Sequence, residues 1–205
     1  MKNKSQLHLD GLKYQLSQHF IFNVMNTLRV LIRKEPEQAT TMLNTFSEYL
    51  RFALHKTTEF TSTLENELAG IELFIRLQEL RFKKQIFLVK NISPETLCKE
   101  IPAFILQPFV EQLLKFSQPE KEVNITYINF AAETIDNRFE IKLSCRPVPV
   151  KNNTSDRVTF SPKSDAEQGV EKALELCRTI FGDTFGYDSV QGKNEHIITF
   201  TLPIK

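Results

Sequence analysis

Along residues 15–28, QLSQHFIFNVMNTL, four polar side chains able to do chemistry recur at helical spacing: Gln15, His19, Asn23 and Asn26. Neighbours on a helix face lie three or four residues apart, so the four share one stripe. The neutral imidazole of His19 is a nucleophile near pH 7. Asn23, one turn later on the same stripe, is placed to orient a water beside it. A merely solvated face would look the same, so the choice between the two rests on what else the chain carries.

The stripe needs a rigid helix beneath it, and the sequence supplies one. Leu12, Leu16, Phe20, Val24, Leu28 and Leu31 or Ile32 recur at helical spacing from about residue 7 to residue 33. Glu35-Pro36 then reads as a turn, because the residue before a proline is pushed out of the helical region while proline itself suits a first turn. A second helix runs to about His55, with Ala39, Met42 or Leu43, Phe46, Tyr49 or Leu50, and Ala53 as its buried face. So short a connection makes the two helices antiparallel. A two-helix hairpin cannot enclose its own apolar stripes. A second copy completing a four-helix bundle does so, which predicts a homodimer; packing on the rest of the same chain is the alternative.

Past residue 60 the pattern changes. A third helix is expected to end near Phe82, with Ser62 or Thr63 as N-cap and Glu65 completing a capping box from Ser62. IFLVKNI, VNITYINFAAE and RFEIKLSC read as strands, the last two as a hairpin around ETIDN. AFILQPFVEQLLKF is a short buried helix with Pro108 near its start, and residues 146–169 read as a long loop rich in Pro, Asn, Ser, Thr and Asp. VEKALELCRTIF forms a last helix closed by Gly182, and TFGYDSV and EHIITFTLPI finish the sheet. The order predicts an α+β fold, with an antiparallel helical hairpin at residues 1–60 and helices on one face of a largely antiparallel sheet at residues 61–205.

Composition narrows the function classes. The 26 basic and 25 acidic side chains nearly cancel, so no bulk field draws this chain to nucleic acid or anionic lipid. Cys98, Cys145 and Cys177 are odd in number and lack C-x-x-C spacing, which argues against a disulfide framework or a zinc site and for a reducing cytoplasm. Cys145 and Cys177 fall on a strand and a helix face, as buried thiols do. His8, His55 and His196 are isolated and suggest no metal. No apolar run reaches the roughly 18 residues that a membrane span requires. Arg81, Lys83 and Lys84 sit at a helix end, where they complement its dipole.

Several ordered motifs together make the chain resemble the LytS/YehU-type sensor histidine kinases over almost its whole length. That family carries its phospho-accepting histidine in a Q-x-x-P-H-F-L-F-N run, matched here at Gln15, His19, Phe20, Phe22 and Asn23. TLENEL, LQELRF and IPAFILQPFVEQLLK match further family segments. The resemblance implies a dimeric four-helix bundle bearing His19, followed by a GHKL-type α/β sandwich that binds ATP and magnesium. It implies response-regulator receiver domains as partners, and for Asn23 a hydrogen bond to phosphoryl oxygens. Gln18 stands where the family has a proline.

The nucleotide motifs depart further. Glu111 and Lys115 remain, but Gln112 replaces the family's magnesium-holding asparagine, and Phe116-Ser117 replace His-Gly. One extra methylene moves the amide by roughly an ångström, against the near-octahedral geometry that magnesium demands. Cys145, Arg146 and Pro147 stand where the family has D-N-G, whose aspartate accepts the adenine amine. Of the later glycine pair only Gly169 survives, with Glu167 at the first position, and a carboxylate repels triphosphate. Glu111, Gln112, Lys115 and Gly169 are therefore remnants of a nucleotide site, and no cofactor is expected. The reading is a cytoplasmic relay that passes a phosphoryl group through His19 to or from receiver domains without using ATP. An active kinase core and a non-catalytic scaffold or inhibitor are the alternatives.

Overall fold

A computed structural model describes residues 18–56, 60–117, 123–136, 138–149 and 165–203, without the side chains of Gln18, His19, His55, Lys56, Val123, Asn124, Pro149, Asp165 and Ala166. In chain order the elements are α1 (Gln18–Lys34), α2 (Pro36–Lys56), β1 (Thr61–Thr63), α3 (Leu64–Phe82), β2 (Gln85–Ile92), α4 (Pro94–Leu97) and β3 (Glu100–Pro102). They continue as α5 (Gln107–Phe116), β4 (Val123–Ile135), β5 (Arg138–Pro149), α6 (Asp165–Phe181), β6 (Gly186–Gln191) and β7 (His196–Pro203). Two compact units result, Met1–Lys84 with Glu100–Gln107, and Gln85–Lys99 with Pro108–Lys205. The first unit holds α3 together with the first two helices. Leu12, Leu16 and the start of the expected first helix lie outside the described residues.

In the first unit, Phe20, Val24, Leu28 and Leu31 of α1 and Ala39, Met42, Phe46, Tyr49 and Ala53 of α2 are buried, the faces that the 3.6-residue period marked. Their cover includes this chain's own α3. Phe20 lies 5.4 Å from Phe74 of α3 and 5.5 Å from Tyr49 of α2, centroid to centroid. The cap of α3 is Thr63, whose Oγ1 accepts from the Asn66 amide at 3.3 Å. Ser62 is not the cap: its hydroxyl donates to the Thr63 carbonyl, so the box with Glu65 does not form. Lys83 ends α3 in the left-handed region and pairs with Glu35, while the Arg81 guanidinium lies over the Phe82 ring at 4.5 Å. β1 and β3 form a small antiparallel pair beside these helices.

The second unit is a five-stranded sheet in the order β2-β4-β5-β7-β6, with β2 parallel to β4 and every other pair antiparallel. Period-two alternation sends Ile128, Phe130, Ala132, Phe139, Ile141, Leu143, Ile198, Phe200 and Leu202 to one buried face. Helix α5 lies against that face, its Phe109 ring edge-on to Phe200 at 4.3 Å. The stretch read as a loop over residues 146–169 is shorter than expected. β5 runs on to Pro149, opposite β4, and α6 begins at Asp165; residues 150–164 lie outside the described residues. Among the described residues no helix is long and apolar enough to cross a membrane.

Gly70 sets how closely α2 and α3 approach. A Cβ there would stand 2.4 Å from Cε1 of Phe52, whose ring is held edge-on against Phe104. Alanine in a helix is ordinarily worth up to about 1 kcal/mol over glycine. Here overpacking, typically about 1–3 kcal/mol, outweighs that gain. Gly70→Ala is expected to lower the urea midpoint, and Phe52→Leu in the same chain to restore part of the loss. A raised midpoint for Gly70→Ala alone would contradict the packing.

Candidate functional site

His19 is the second residue of α1, and its side chain lies outside the description. The stripe it belongs to is visible in its neighbours. Phe22 is 66% exposed and Asn26 is exposed, while Phe20 and Val24 turn inward. Asn23 is half-buried, and its carbonyl accepts from Thr27 Oγ1 at 2.9 Å. Gln15 lies outside the described residues. Helical geometry thus gathers positions 19, 23 and 26 on a stripe that flanks the buried face of α1.

The second unit holds the other candidates. Helix α5 tolerates Pro108 because a first-turn N–H has no helical partner to lose. Phe109, Val110, Leu113 and Leu114 are buried, which leaves Lys115 exposed and Glu111 and Gln112 half-buried. The Gln112 Oε1 atom is itself sealed from solvent and has no hydrogen-bond partner. Gly169 is the fifth residue of α6 and sits in no loop. A Cβ there would just meet the Cβ of Pro108 at 3.4 Å, so this glycine serves the approach of two helices. Glu167 is half-buried two residues before it, in the first turn, where a carboxylate complements the helix dipole.

Cys145, at the position of the family's adenine-binding aspartate, is fully buried on the inner face of β5. Burial pushes its thiol up to about 12, with the charge of Glu195 adding to the rise and a bond with Ser117 opposing it. Its register partner on β7 is His196, 3% exposed, whose ring meets Phe116 edge-on at 5.4 Å. His196 Nε2 bonds Ser189 Oγ at 2.9 Å, while Nδ1 is buried with no partner. Desolvation holds the imidazole below its usual value, hence neutral. Ser117, also buried, donates to the Leu114 carbonyl at 2.7 Å. Cys145, Phe116, Ser117 and His196 therefore form packed core.

Cys145 and Gly169 do not fit the roles of their family counterparts: the neutral thiol is a poor acceptor for an exocyclic amine, and Gly169 lies within a helix. Sequence reading treated His196 as isolated. The alternation H-I-I-T-F-T-L, with Ile198, Phe200 and Leu202 inward, was the signal that places it inside.

Two outcomes follow. At pH 8 iodoacetamide should label exposed Cys98 while sparing Cys145 and Cys177, whose thiols burial pushes up to about 12; equal labelling of all three in the folded chain would contradict that burial. The unfolded chain takes up the His196 proton near its ordinary 6.5 and the folded chain only at lower pH, so stability holds above that value and is lost as pH falls through the folded one. The urea midpoint of the wild type should therefore drop further between pH 7.5 and pH 5 than that of His196→Gln, to an extent scaling with the shift. Equal drops would contradict the burial of this ring.

Comparison with known proteins bears on both halves. The family profile described as Histidine kinase matches residues 7–86. Sensor histidine kinase BtsS of Escherichia coli K12 is 32% identical over 115 residues, covering 56% of this chain and 20% of BtsS. Sensor protein kinase HptS of Staphylococcus aureus USA300 is 32% identical over 120 residues, covering 58% of this chain and 23% of HptS. The chain thus spans about a fifth of the length of these curated relatives. In fold it matches the histidine kinase domain of the Erythrobacter litoralis EL346 blue-light activated histidine kinase, at TM-score 0.50 and 9% identity, over 98% of this chain and 95% of that one. It likewise matches a bacterial phosphotransferase, at TM-score 0.50 and 9% identity, over 95% and 93% of the two chains.

Proposed function

We propose that this chain is a relative of the sensor histidine kinases, as the profile match over residues 7–86 and the likeness to BtsS and HptS support, and that it relays a phosphoryl group through His19 to or from receiver domains without using ATP itself. The observation that carries the reading is the contrast between its two halves. The motif around His19 is kept in sequence, with Phe22 and Asn26 exposed beside it, while Cys145 and Gly169, at two positions of the nucleotide site, are packed as core. The fold shared with a bacterial phosphotransferase supports a kinase-like architecture put to transfer.

In such a relay the lone pair of the unprotonated imidazole nitrogen attacks the phosphorus of a receiver's aspartyl phosphate. The bond from phosphorus to the aspartyl oxygen breaks, and the carboxylate leaves with its electron pair. The other ring N–H stays in place and is lost to water once phosphorylation has acidified it. Asn23 donates an amide hydrogen bond to a phosphoryl oxygen. The assembly is a homodimer: Met25 and Ile32 of α1 and Leu43 and Leu54 of α2 stay exposed although α3 covers the opposite faces, and a second hairpin would bury them as a four-helix bundle. The bundle and the receiver partner are cytoplasmic on this reading.

The test is incubation of the wild type with receiver domains phosphorylated by acetyl phosphate. The wild type should gain acid-labile label and His19→Ala none. Asn23→Ala should slow the gain by about tenfold to a hundredfold, the worth of one charge-assisted hydrogen bond of roughly 1.5–3 kcal/mol. Label appearing from radiolabelled ATP alone would favour an active kinase core, and undiminished partner control by His19→Gln would favour a scaffold.

A further inference from the structure

Tyr49 and Gln107 are polar side chains sealed inside the helical unit, 1% and 5% exposed. The Tyr49 hydroxyl donates to Gln107 Oε1 at 3.0 Å, and the Gln107 amide Nε2–H donates back to the Tyr49 oxygen at 2.8 Å. Cohesion alone does not call for such a pair, since apolar groups of the same shape in both places cost little. What a two-point contact adds is direction, because it fixes where the phenol ring lies within its slot.

The direction matters for what that ring touches. Tyr49 stands edge-on to Phe20 at 5.5 Å, and Phe74 closes the triangle at 6.4 Å from Tyr49 and 5.4 Å from Phe20. Phe20 follows His19 in the chain. Successive residues of a helix are turned by about 100° from one another, so the seat of the Phe20 ring fixes how α1 is rotated at that turn. At the other end, Gln107 is the first residue of α5 and the last of the stretch that returns to the helical unit before Pro108. One hydrogen-bonded pair therefore links the ring packed on Phe20 to Gln107, within the helical unit.

We infer that Tyr49 and Gln107 are a positioning pair, which sets the direction in which α1 presents His19 to a receiver domain by holding the Phe20 ring from behind. The inference rests on the relay reading for its functional consequence and on the ring geometry for its structural one. Neither residue touches the phosphoryl group. Their substitution alters presentation while the chemistry of the imidazole is unchanged.

The test joins Tyr49→Phe with Gln107→Met, which removes both ends of the bond and keeps the volume. The double variant should melt within about 3 °C of the wild type. Exchange of the α1 amides at residues 20–24 should nevertheless quicken by about fivefold or more, and label gained from phosphorylated receiver should fall by a similar factor. A double variant of wild-type stability, with both exchange and transfer unchanged, overturns the inference. If the wild type itself takes no label, the relay reading fails. Amide exchange then decides alone, quickened exchange upholding the link and unchanged exchange overturning it. If the double variant does not fold, Tyr49→Phe is read by the same two measurements.

Discussion

The second unit turns on the packing of α5 against the inner face of β5 and β7. A nucleotide cleft of this fold needs the end of α5, the end of β5 and the following glycines to stand apart and offer polar groups. Here Phe109 is seated on Phe200, Phe116 on His196, and Cys145 is sealed between β4 and β7. Each contact places its groups in the core. The neutral state of the Cys145 thiol and of the His196 ring follows, since a charge there would be stranded in a low-dielectric interior. The same packing explains why Gly169, a glycine suggestive of phosphate, lies against Pro108 inside a helix.

The first unit obeys a different constraint, that three helices meet through rings. Phe20, Phe46, Tyr49 and Phe74 bring α1, α2 and α3 together on one side of α1 and leave the other side to Phe22, Asn26 and position 19. Aromatic packing on the first of these sides fixes how α1 is rotated.

Much of this was legible in the sequence for physical reasons. The 3.6-residue spacing of Phe20, Val24, Leu28 and Leu31 named a buried face correctly, and Glu35-Pro36 marked the break between α1 and α2 because proline constrains both itself and its predecessor. Alternation in RFEIKLSC gave a strand and put Cys145 inward. What local patterns could not show was competition between neighbours. Thr63, not Ser62, caps the helix: its hydroxyl accepts from the Asn66 amide while the Ser62 hydroxyl donates to the Thr63 carbonyl. Pro147 and Pro149 looked like loop residues, yet β5 carries them opposite Thr126 and Val123. The cover of the hairpin by α3 depends on contacts more than twenty residues apart in sequence, which no periodicity reports. Tyr49 and Gln107, far apart in the chain, gave no sign of each other.

The loss of nucleotide recognition is the claim on which the relay stands, and calorimetric titration of magnesium-ATP into the intact protein addresses it most directly. No saturable heat is expected up to about millimolar nucleotide, where even weak sites of roughly −4 kcal/mol begin to fill. A dissociation constant in the micromolar range would contradict it, by showing that α5 and β5 still open onto a working purine cleft.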